Sequence, residues 1–499
     1  MQSYWNINKK QRFKKIEENI STDICIIGGG LTGLTCAYYL SKAGKQAIII
    51  EKDYICDHTS GNTTGKITCQ HGLIYKYLTD SKGEDFAKKY LKANEEAILN
   101  IESIVKEENI DCDFEKQNAY VFTRQQDEIK KIKDEVKATN NLGQSSKFVE
   151  NISLPISIKG AIEFENQAQF HPVKYANGLC DVIKKNNNLI FENSKVINIE
   201  KKKDLFEITV NGKKVLANKV ILATRYPIIN VPGYHFLKMY QSISYAIVVD
   251  PKEDANTGIY INSEMPTISF RSIKDGTNRF LQIVGYDYKT GKENKNINGH
   301  EELFDIARRM YPKCELKYKW ETEDSVSLDK IPYIGEFSKL MPNMYVATGY
   351  NKWGITSSNV AAKIITDNIL GIKNNYEEIF TSKRMEPIKN KEEVKNMLEE
   401  ASKSIIFTKF TVPQEHINDV ERGEGKIVQV QGIKVGVYKD NLGKTYQVKP
   451  ICTHLGCELN FNQVEKTWDC PCHGSRFNYK GESLETPSVD NLKSFENKE

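Results

Sequence analysis

The chain has almost no excess charge and no long uninterrupted hydrophobic segment. Its 70 lysines and arginines are nearly balanced by 66 aspartates and glutamates, for a net charge of +4 over 499 residues. This balance provides no strongly basic surface, so we expect no nucleic-acid partner. The uncharged run 24–41 contains four glycines and follows a basic lead interrupted by acidic residues, which argues against a signal peptide or a membrane span. We therefore expect a cytoplasmic protein without a transmembrane segment.

Most of the chain also lacks cysteines at the spacings typical of metal-binding motifs. Seven of the 11 cysteines are scattered between Cys25 and Cys314, which is typical of buried thiols in a reducing compartment. The other four lie within 452–472, where Cys-Thr-His-Leu-Gly-Cys is followed twelve residues later by Cys-Pro-Cys-His-Gly-Ser. Two thiolates and two imidazoles are the donor set of a Rieske [2Fe–2S] centre. A structural zinc site can use the same donors and is the alternative.

The two half-motifs resemble the Rieske proteins of cytochrome bc complexes. That resemblance implies a cluster held by Cys452, His454, Cys470 and His473. It also implies a disulfide between Cys457 and Cys472 and a hydrogen bond from Ser475 to a cluster sulfur. Position 477 is Phe, where high-potential members carry Tyr, so we expect a somewhat lower reduction potential.

A nucleotide-binding pattern lies near the start of the chain. The apolar strand 23–27 leads into Gly28-Gly-Gly30-Leu-Thr-Gly33, a helical stretch follows, and a second strand ends at Glu51. In this pattern Gly28 permits the tight turn, Gly30 lets the backbone approach a pyrophosphate, and Gly33 lets helix and strand pack closely. The helix N-terminus faces the diphosphate, and the acid accepts hydrogen bonds from ribose hydroxyls.

The order of segments over 22–384 is similar to the D-amino-acid-oxidase family of flavoproteins. The shared features are the glycine fingerprint, a middle strand ending Val-Ile-Leu-Ala-Thr, a return strand ending Ala-Thr-Gly, and a Gly-x-x-x-x-Gly turn into a helix. The resemblance implies FAD, with the 349–354 turn at the flavin pyrimidine end and the 63–66 loop beside the ring. Together with the fingerprint, the expected cofactor-binding residues are Gly28, Gly30, Gly33, Glu51, Thr64, Gly65, Lys66, Gly349, Trp353, Gly354 and Thr356.

These patterns predict an α/β fold with four parts. Residues 1–20 form an N-terminal arm, and 21–384 form a Rossmann-like FAD-binding domain. An antiparallel-sheet substrate lobe is inserted in that domain, mainly at 84–150 and 240–318. Residues 385–404 are a linker helix, and 405–499 are a small all-β Rieske domain.

The chain holds only one complete Gly-x-Gly-x-x-Gly fingerprint, so NAD(P)H is not the expected reductant. We expect a dehydrogenase that oxidises a small substrate, an amine or amino acid, and passes electrons to an external acceptor such as a ferredoxin-like protein or a quinone. Arg271 is a candidate carboxylate clamp and Lys352 a candidate catalytic residue, although both fit a solvated role equally well. Two alternatives stay open: electrons enter through the cluster and the flavin reduces a substrate, or the protein is a non-enzymatic redox sensor or electron carrier.

Overall fold

The computed structural model describes residues 3–6, 12–229, 231–292, 297–385 and 415–495. Apart from Met385, the predicted linker helix 385–404 lies outside these residues. Among the described helices, none combines the length and the hydropathy that a bilayer span requires.

The described part contains helices and strands in the following chain order. The helices are α1 Leu31–Lys42, α2 Tyr75–Lys82, α3 Glu84–Glu107, α4 Ile129–Asn141, α5 Pro172–Lys185, α6 Gly299–Met310, α7 Gly354–Leu370 and α8 Glu377–Phe380. The strands are β1 Ile20–Ile27, β2 Ala47–Ile50, β3 Lys66–Ile67, β4 Glu115–Thr123, β5 Ser146–Val149, β6 Gly160–Gln169, β7 Leu189–Phe191, β8 Val196–Lys202, β9 Leu205–Val210, β10 Lys213–Leu222, β11 Met239–Asp250, β12 Ile259–Asn262, β13 Ile268–Asp275, β14 Asn278–Lys289, β15 Glu315–Ser327, β16 Tyr333–Glu336, β17 Met344–Thr348, β18 Gly425–Val430, β19 Ile433–Lys439, β20 Thr445–Val448, β21 Asn460–Asn462, β22 Thr467–Asp469, β23 Arg476–Asn478 and β24 Ser483–Glu485. Short 3-10 turns occur at Tyr4–Asn6, Thr59–Gly61, His235–Leu237 and Ile417–Asp419.

The first sheet is the Rossmann-like core. Its order is β16-β17-β10-β1-β2-β7, with β8 and β9 continuing from β10 as an antiparallel extension. Strand β1 pairs in parallel with both β2 and β10, and its last four residues are buried. Such continuously apolar strands are typical of a parallel sheet covered on both faces. The carboxyl ends of β1, β2 and β10 therefore lie at one edge, where open α/β sheets bind their ligands.

The second sheet is the predicted substrate lobe. Its order is β15-β11-β14-β13-β12-β4-β6-β3, with β5 paired to β6. All of its neighbouring strands are antiparallel except β12 and β4. The sheet also takes in 66–67 and 160–169, outside the predicted boundaries. These strands pair across long sequence separations, which local patterns do not report.

The C-terminal region is built from two small antiparallel sheets, β18-β19-β20 and β21-β22-β23-β24. Their shared core includes Trp468, Phe477 and Leu459 together with the cysteines of the two half-motifs. The α/β fold with an antiparallel lobe and a small all-β domain is thus confirmed.

The predicted N-terminal arm is partly packed into the protein. The Trp5 indole donates a hydrogen bond to the Thr63 carbonyl at 2.7 Å, and Ser3 Oγ donates to the Gly61 carbonyl at 2.6 Å. Trp5 is buried, because its ring lies against the Arg271 guanidinium and the His171 ring. These first residues therefore brace the 61–63 loop instead of projecting as a polar arm.

Candidate functional site: a nucleotide cleft beside a paired cysteine–histidine loop

The glycine fingerprint forms the tight turn between β1 and α1. Gly28 has a φ of +111°, and a Cβ there would lie 2.7 Å from the Ala223 carbonyl oxygen. At Gly33 a Cβ would lie 2.0 Å from the Gly28 carbonyl oxygen, so only glycine lets α1 approach the turn. The N-cap of α1 is Gly30, which has no side chain to bond the first N–H groups of the helix. This N-terminus is therefore suited to receive a diphosphate.

Glu51 follows β2 and is held in place by the backbone. Its Oε2 accepts from the Gly29 N–H at 2.7 Å, and its Oε1 accepts from the Asp53 N–H at 3.0 Å. The carboxylate is buried beside the glycine turn. This position matches that of an acid that binds a ribose.

An open cleft of about 1330 Å³, part of it facing solvent, runs along this edge of the sheet. It is lined by five of the predicted cofactor residues: Gly28, Gly30, Glu51, Gly349 and Gly354. Gly33 supports the cleft from behind, where it packs α1 onto the turn. The remaining predicted residues (Thr64, Gly65, Lys66, Trp353 and Thr356) do not line this cleft.

The turn from 349 to 354 connects β17 to α7 and is strongly curved. Gly349, Asn351 and Lys352 all have positive φ angles. The Tyr350 hydroxyl lies 3.0 Å from Thr32 Oγ1, which ties this turn to the first turn of α1. Gly30 and Gly354 line the same cleft, so the N-termini of α1 and α7 both border it, and both are suited to stabilise a negatively charged ligand there.

Behind this turn, Trp353 stacks on the buried His71 ring at 4.9 Å between centroids. Thr356 Oγ1 donates to the Thr68 carbonyl at 3.1 Å and lies 3.2 Å from His71 Nε2. Burial lowers the pKa of His71 to about 3, so the imidazole is neutral. These contacts fix the start of α7 against the chain that follows β3.

The 64–66 segment passes directly over Arg271. Arg271 Nη1 donates to the carbonyls of Thr64 at 2.8 Å and Phe170 at 3.3 Å, and Nε donates to Ser272 O at 3.2 Å. Burial lowers the pKa of this guanidinium to about 9. Burial, together with Arg271, also holds the pKa of Lys66 well below its usual range. Arg271 thus braces this loop, and its predicted role as a substrate clamp stays a prediction.

Lys352 projects towards the antiparallel lobe. Its Nζ forms an ion pair with Asp287 at 3.0 Å and bonds Ser244 Oγ at 3.1 Å. The side chain is about one-third exposed, at 31%. Its predicted catalytic role also stays a prediction.

The two cysteine–histidine half-motifs adopt the same loop geometry. The Cys452 N–H donates to the Cys457 carbonyl, and the Gly456 N–H donates back to the Cys452 carbonyl. In the second loop Cys470 bonds Ser475 and Gly474 bonds Cys470 in the same way. Each loop turns at its glycine, and both glycines have a φ of +79°. This repeat brings the four predicted ligands to one end of the small domain.

The predicted ligand side chains lie close together at this end of the domain, where the His454 and His473 rings are 5.0 Å apart. The buried Cys452 and Cys470 thiols share a hydrogen bond, which lowers the pKa of Cys452 to about 7 and, together with burial, raises the pKa of Cys470 well above its usual value. Burial lowers the pKa of His454 to about 4 and that of His473 to about 3, so both imidazoles are neutral. His454 Nδ1 and Nε2 and His473 Nδ1 are buried with no hydrogen-bond partner among the described residues. These unpartnered nitrogens fit a bound [2Fe–2S] cluster.

The remaining two cysteines brace the loops from outside this donor set. Cys457 and Cys472 form a disulfide, as predicted. The 483–489 loop, which begins with the short strand β24, lies over the other side: the Ser488 N–H donates to Ser475 Oγ at 3.1 Å. Ser475 also hydrogen-bonds the Cys452 thiol, which agrees with its predicted role towards the cluster.

The small domain docks on the nucleotide-binding domain through Glu485. Its carboxylate lies 2.7 Å from His58 Nδ1, 3.3 Å from Arg225 Nη2 and 3.5 Å from Lys52 Nζ. Only 15% of this side chain is exposed. The three cations come from loops after β2 and β10, at the same sheet edge as the cleft.

Strand β11 joins the two halves of the site. At its start, Met239 Sδ lies within 3.7 Å of where a Cβ on Gly349 would be, and two residues later Gln241 packs directly on Gly474. Ser325 on β15 completes the bridge, since its Oγ donates to Gln241 Oε1 at 2.8 Å and its carbonyl accepts from the Asn351 N–H at 3.1 Å. One pair of strands thus separates the 349–354 turn from the cluster loop.

The fold and the two donor arrangements define an FAD-binding oxidoreductase that carries a Rieske centre. Residues 23–368 match the model of the family described as FAD dependent oxidoreductase, and 411–496 match the Rieske [2Fe-2S] domain. The chain belongs to this FAD-dependent oxidoreductase family, with FAD bound in its first domain and a [2Fe–2S] cluster in its second. The zinc alternative is therefore set aside.

Known proteins resemble both the whole chain and its first domain. YhfW of Bacillus subtilis (strain 168), by name a Rieske 2Fe-2S iron-sulfur protein, is 34% identical over 493 residues, covering 99% of this chain and 97% of YhfW. Gamma-glutamylputrescine oxidoreductase of Escherichia coli (strain K12) is 22% identical over 73% of this chain and 87% of its own length. The crystal structure of glycine oxidase from Geobacillus kaustophilus superposes with a TM-score of 0.63 at 16% identity, over 73% of this chain and 99% of that one.

Several site residues were missed in the sequence. Ser60 accepts from the Leu31 N–H at 3.1 Å and lines the cleft, but it belongs to none of the sequence motifs. No sequence motif contains Arg225 or Glu485, because these two residues contact each other only where the two domains dock. The N-terminal Trp5 was likewise hidden in a segment interpreted as polar.

Proposed function

We propose that this protein is a dehydrogenase that oxidises an amine or amino acid at FAD and delivers the electrons through its Rieske centre to an external acceptor. The bound flavin accepts electrons in pairs, whereas the cluster accepts one at a time. Relatives named for glycine and for gamma-glutamylputrescine support this substrate class.

The bridge formed by Gln241 and Ser325 carries the proposal. It connects the cluster loop at Gly474 to the turn at Asn351 through one hydrogen bond on each side of Ser325. Such a direct connection gives the two redox sites a short path within one chain. A second contact supports it: the His473 ring lies 5.8 Å from the Phe236 ring of the large domain.

The part of the proposal that concerns substrate binding is supported by the residues that close the back of the nucleotide cleft. Trp5, Arg271 and Phe170 hold the 63–66 loop rigid, and rigid loops position substrates better than mobile ones. Burial and the neighbouring Arg271 guanidinium hold the pKa of Lys66 well below its usual range, so this region disfavours a second cation. The same conditions shift a bound amine towards its neutral form, which is the form that can lose a hydride.

We further propose a cytoplasmic location and a ferredoxin-like protein or a quinone as the acceptor. Seven buried cysteines outside the cluster loops are free thiols, which suits a reducing compartment.

An anaerobic panel of amines and amino acids tests the proposal. Flavin absorbance and the EPR signal of the reduced cluster are followed together on the full chain. We expect at least one substrate to bleach the flavin and then produce the EPR signal. A Cys470→Ser chain, which lacks one predicted ligand, serves as the matched control and should bleach its flavin without that signal. If no member of the panel bleaches the flavin of the intact protein, the proposal is wrong.

A further inference from the structure

The nucleotide cleft has a wall that belongs to the other domain. Along with the fingerprint glycines and Glu51, the cleft is lined by Ser483, Leu484, Glu485, Thr486, Ser488 and Val489. These residues form the loop that covers the cluster-binding loops through Ser488 and Ser475. One loop of the Rieske domain therefore borders both cofactor sites.

This loop is fixed to the mouth of the cleft on three sides. Besides the Glu485 ion pairs, Lys52 Nζ donates to the Leu484 carbonyl, and Lys195 Nζ donates to the Ser483 carbonyl at 3.3 Å. Thr486 Oγ1 donates to the Tyr226 carbonyl at 3.1 Å. The partners follow β2, β7 and β10, three neighbouring stretches at the ligand-binding edge of the sheet.

The position of Glu51 shows which half of the cofactor this wall covers. An acid at the end of β2 binds the ribose of the adenosine, so the adenine lies beyond it, away from α1. The cleft residues on that side include Lys52, Lys195, Val196 and Leu484. Leu484 is an exposed leucine, 37% accessible, whose side chain borders this space. An adenine ring would cover it.

We infer that the Rieske domain is part of the FAD site: Leu484 covers the adenosine half of the cofactor, and Glu485 latches the covering loop to His58, Arg225 and Lys52. FAD retention thereby depends on the docking of the second domain. The inference concerns only cofactor binding, so it holds for either direction of electron flow.

Two variants of the full-length protein test this, each with a matched control on the same domain. Leu484→Ala removes the apolar cover, and Leu442→Ala removes an equivalent leucine that is 90% exposed and away from the cleft. Glu485→Gln removes the latch charge, and Glu482→Gln removes a charge whose carboxylate bonds Asn478 of its own domain. The measurement is the FAD dissociation rate, followed by fluorescence while an excess of an FAD-binding apoprotein traps the released cofactor.

For Leu484→Ala we expect FAD release to become about tenfold faster, because the variant loses the burial of roughly two methylene groups. For Glu485→Gln we expect release about three- to tenfold faster, because charge-assisted contacts are lost. Both controls should match the wild type. If Glu485 acted only by repelling the anionic diphosphate of FAD, Glu485→Gln would slow FAD release. If Glu485 latches the loop, Glu485→Gln speeds FAD release, so the two roles predict opposite changes. Unchanged or slower release in Leu484→Ala overturns the inference, and the EPR signal of the reduced cluster confirms in each variant that the Rieske domain is folded.

Discussion

Replacing Gly474 by alanine should weaken the contact between the cluster loop and β11. Gly474 has a φ of +79°, and a Cβ there would lie 2.2 Å from Gln241 Cγ. Carbon atoms pack best at about 3.5–4.0 Å, so the contact would have to open by more than 1 Å. Gln241 cannot swing aside freely, since it is buried and accepts a hydrogen bond from Ser325. We expect about 1–2 kcal/mol for the left-handed backbone and about 1–3 kcal/mol for the overpacking.

The assay is thermal unfolding of the full-length protein, followed through the visible circular dichroism of the cluster. In a domain of this size each kcal/mol lowers the Tm by about 4–8 °C, so Gly474→Ala should lose roughly 8 °C or more. Gly456→Ala is the matched control, because it has the same φ but nothing within 4 Å of the added Cβ. A Cβ on Gly474 would also lie 2.4 Å from Gln241 Cβ, so adding Gln241→Gly to Gly474→Ala should restore the overpacking part only, as a double-mutant cycle measures. Equal losses for Gly474→Ala and Gly456→Ala would refute the reasoning.

Three further predictions concern the nucleotide turn, the domain latch and the cluster. Gly33→Ala, whose Cβ would lie 2.0 Å from the Gly28 carbonyl oxygen, should weaken FAD binding about tenfold or more in equilibrium titration of the apoprotein; unchanged affinity would contradict the close packing. Burial and the nearby Lys52 act to lower the pKa of His58, but the carboxylates of Glu485 and Asp53 outweigh them and raise this pKa to about 9. Because this folded-state pKa lies above the usual 6.5, the stabilisation that protonated His58 gives to the docked loop is complete below pH 6.5 and is lost as the pH rises through 9. FAD release should therefore accelerate as the pH rises from 6.5 to 9, and His58→Gln should flatten this dependence of the release rate on pH. Phe477→Tyr should raise the reduction potential in protein-film voltammetry, since a hydroxyl donor near a ligand sulfur favours the reduced cluster; an unchanged or lower potential would contradict this.

Local sequence patterns were sufficient for the parts of the site that lie within a few residues of one another. The two cysteine–histidine loops each close through hydrogen bonds between residues four or five positions apart, and in the turn from Gly28 to Gly33 the two end glycines pack against each other. Their residue types are required by that geometry, as the positive φ angles of Gly456 and Gly474 illustrate. The cofactors and the fold class could therefore be predicted from motifs alone.

Contacts between distant segments could not be predicted in this way. Glu485 and His58 are more than 400 residues apart, and neither shows a pattern that selects its partner. Arg271 on β13 is a candidate carboxylate clamp by sequence, and nothing local to it indicated that its guanidinium would also donate to backbone carbonyls of two other segments. These interactions depend on how the sheets and domains pack, which is decided by tertiary structure and not by local propensity.

Flash photoreduction of the flavin under anaerobic conditions tests the central claim most directly, because it needs no knowledge of the substrate. A short light pulse with a sacrificial donor reduces the flavin of the full-length protein, and the absorbance of the cluster is then followed in time. We predict that the cluster becomes reduced as the flavin reoxidises, with one rate constant that does not change with protein concentration. A cluster that stays oxidised, or a rate that rises in proportion to protein concentration, would contradict electron transfer within the chain.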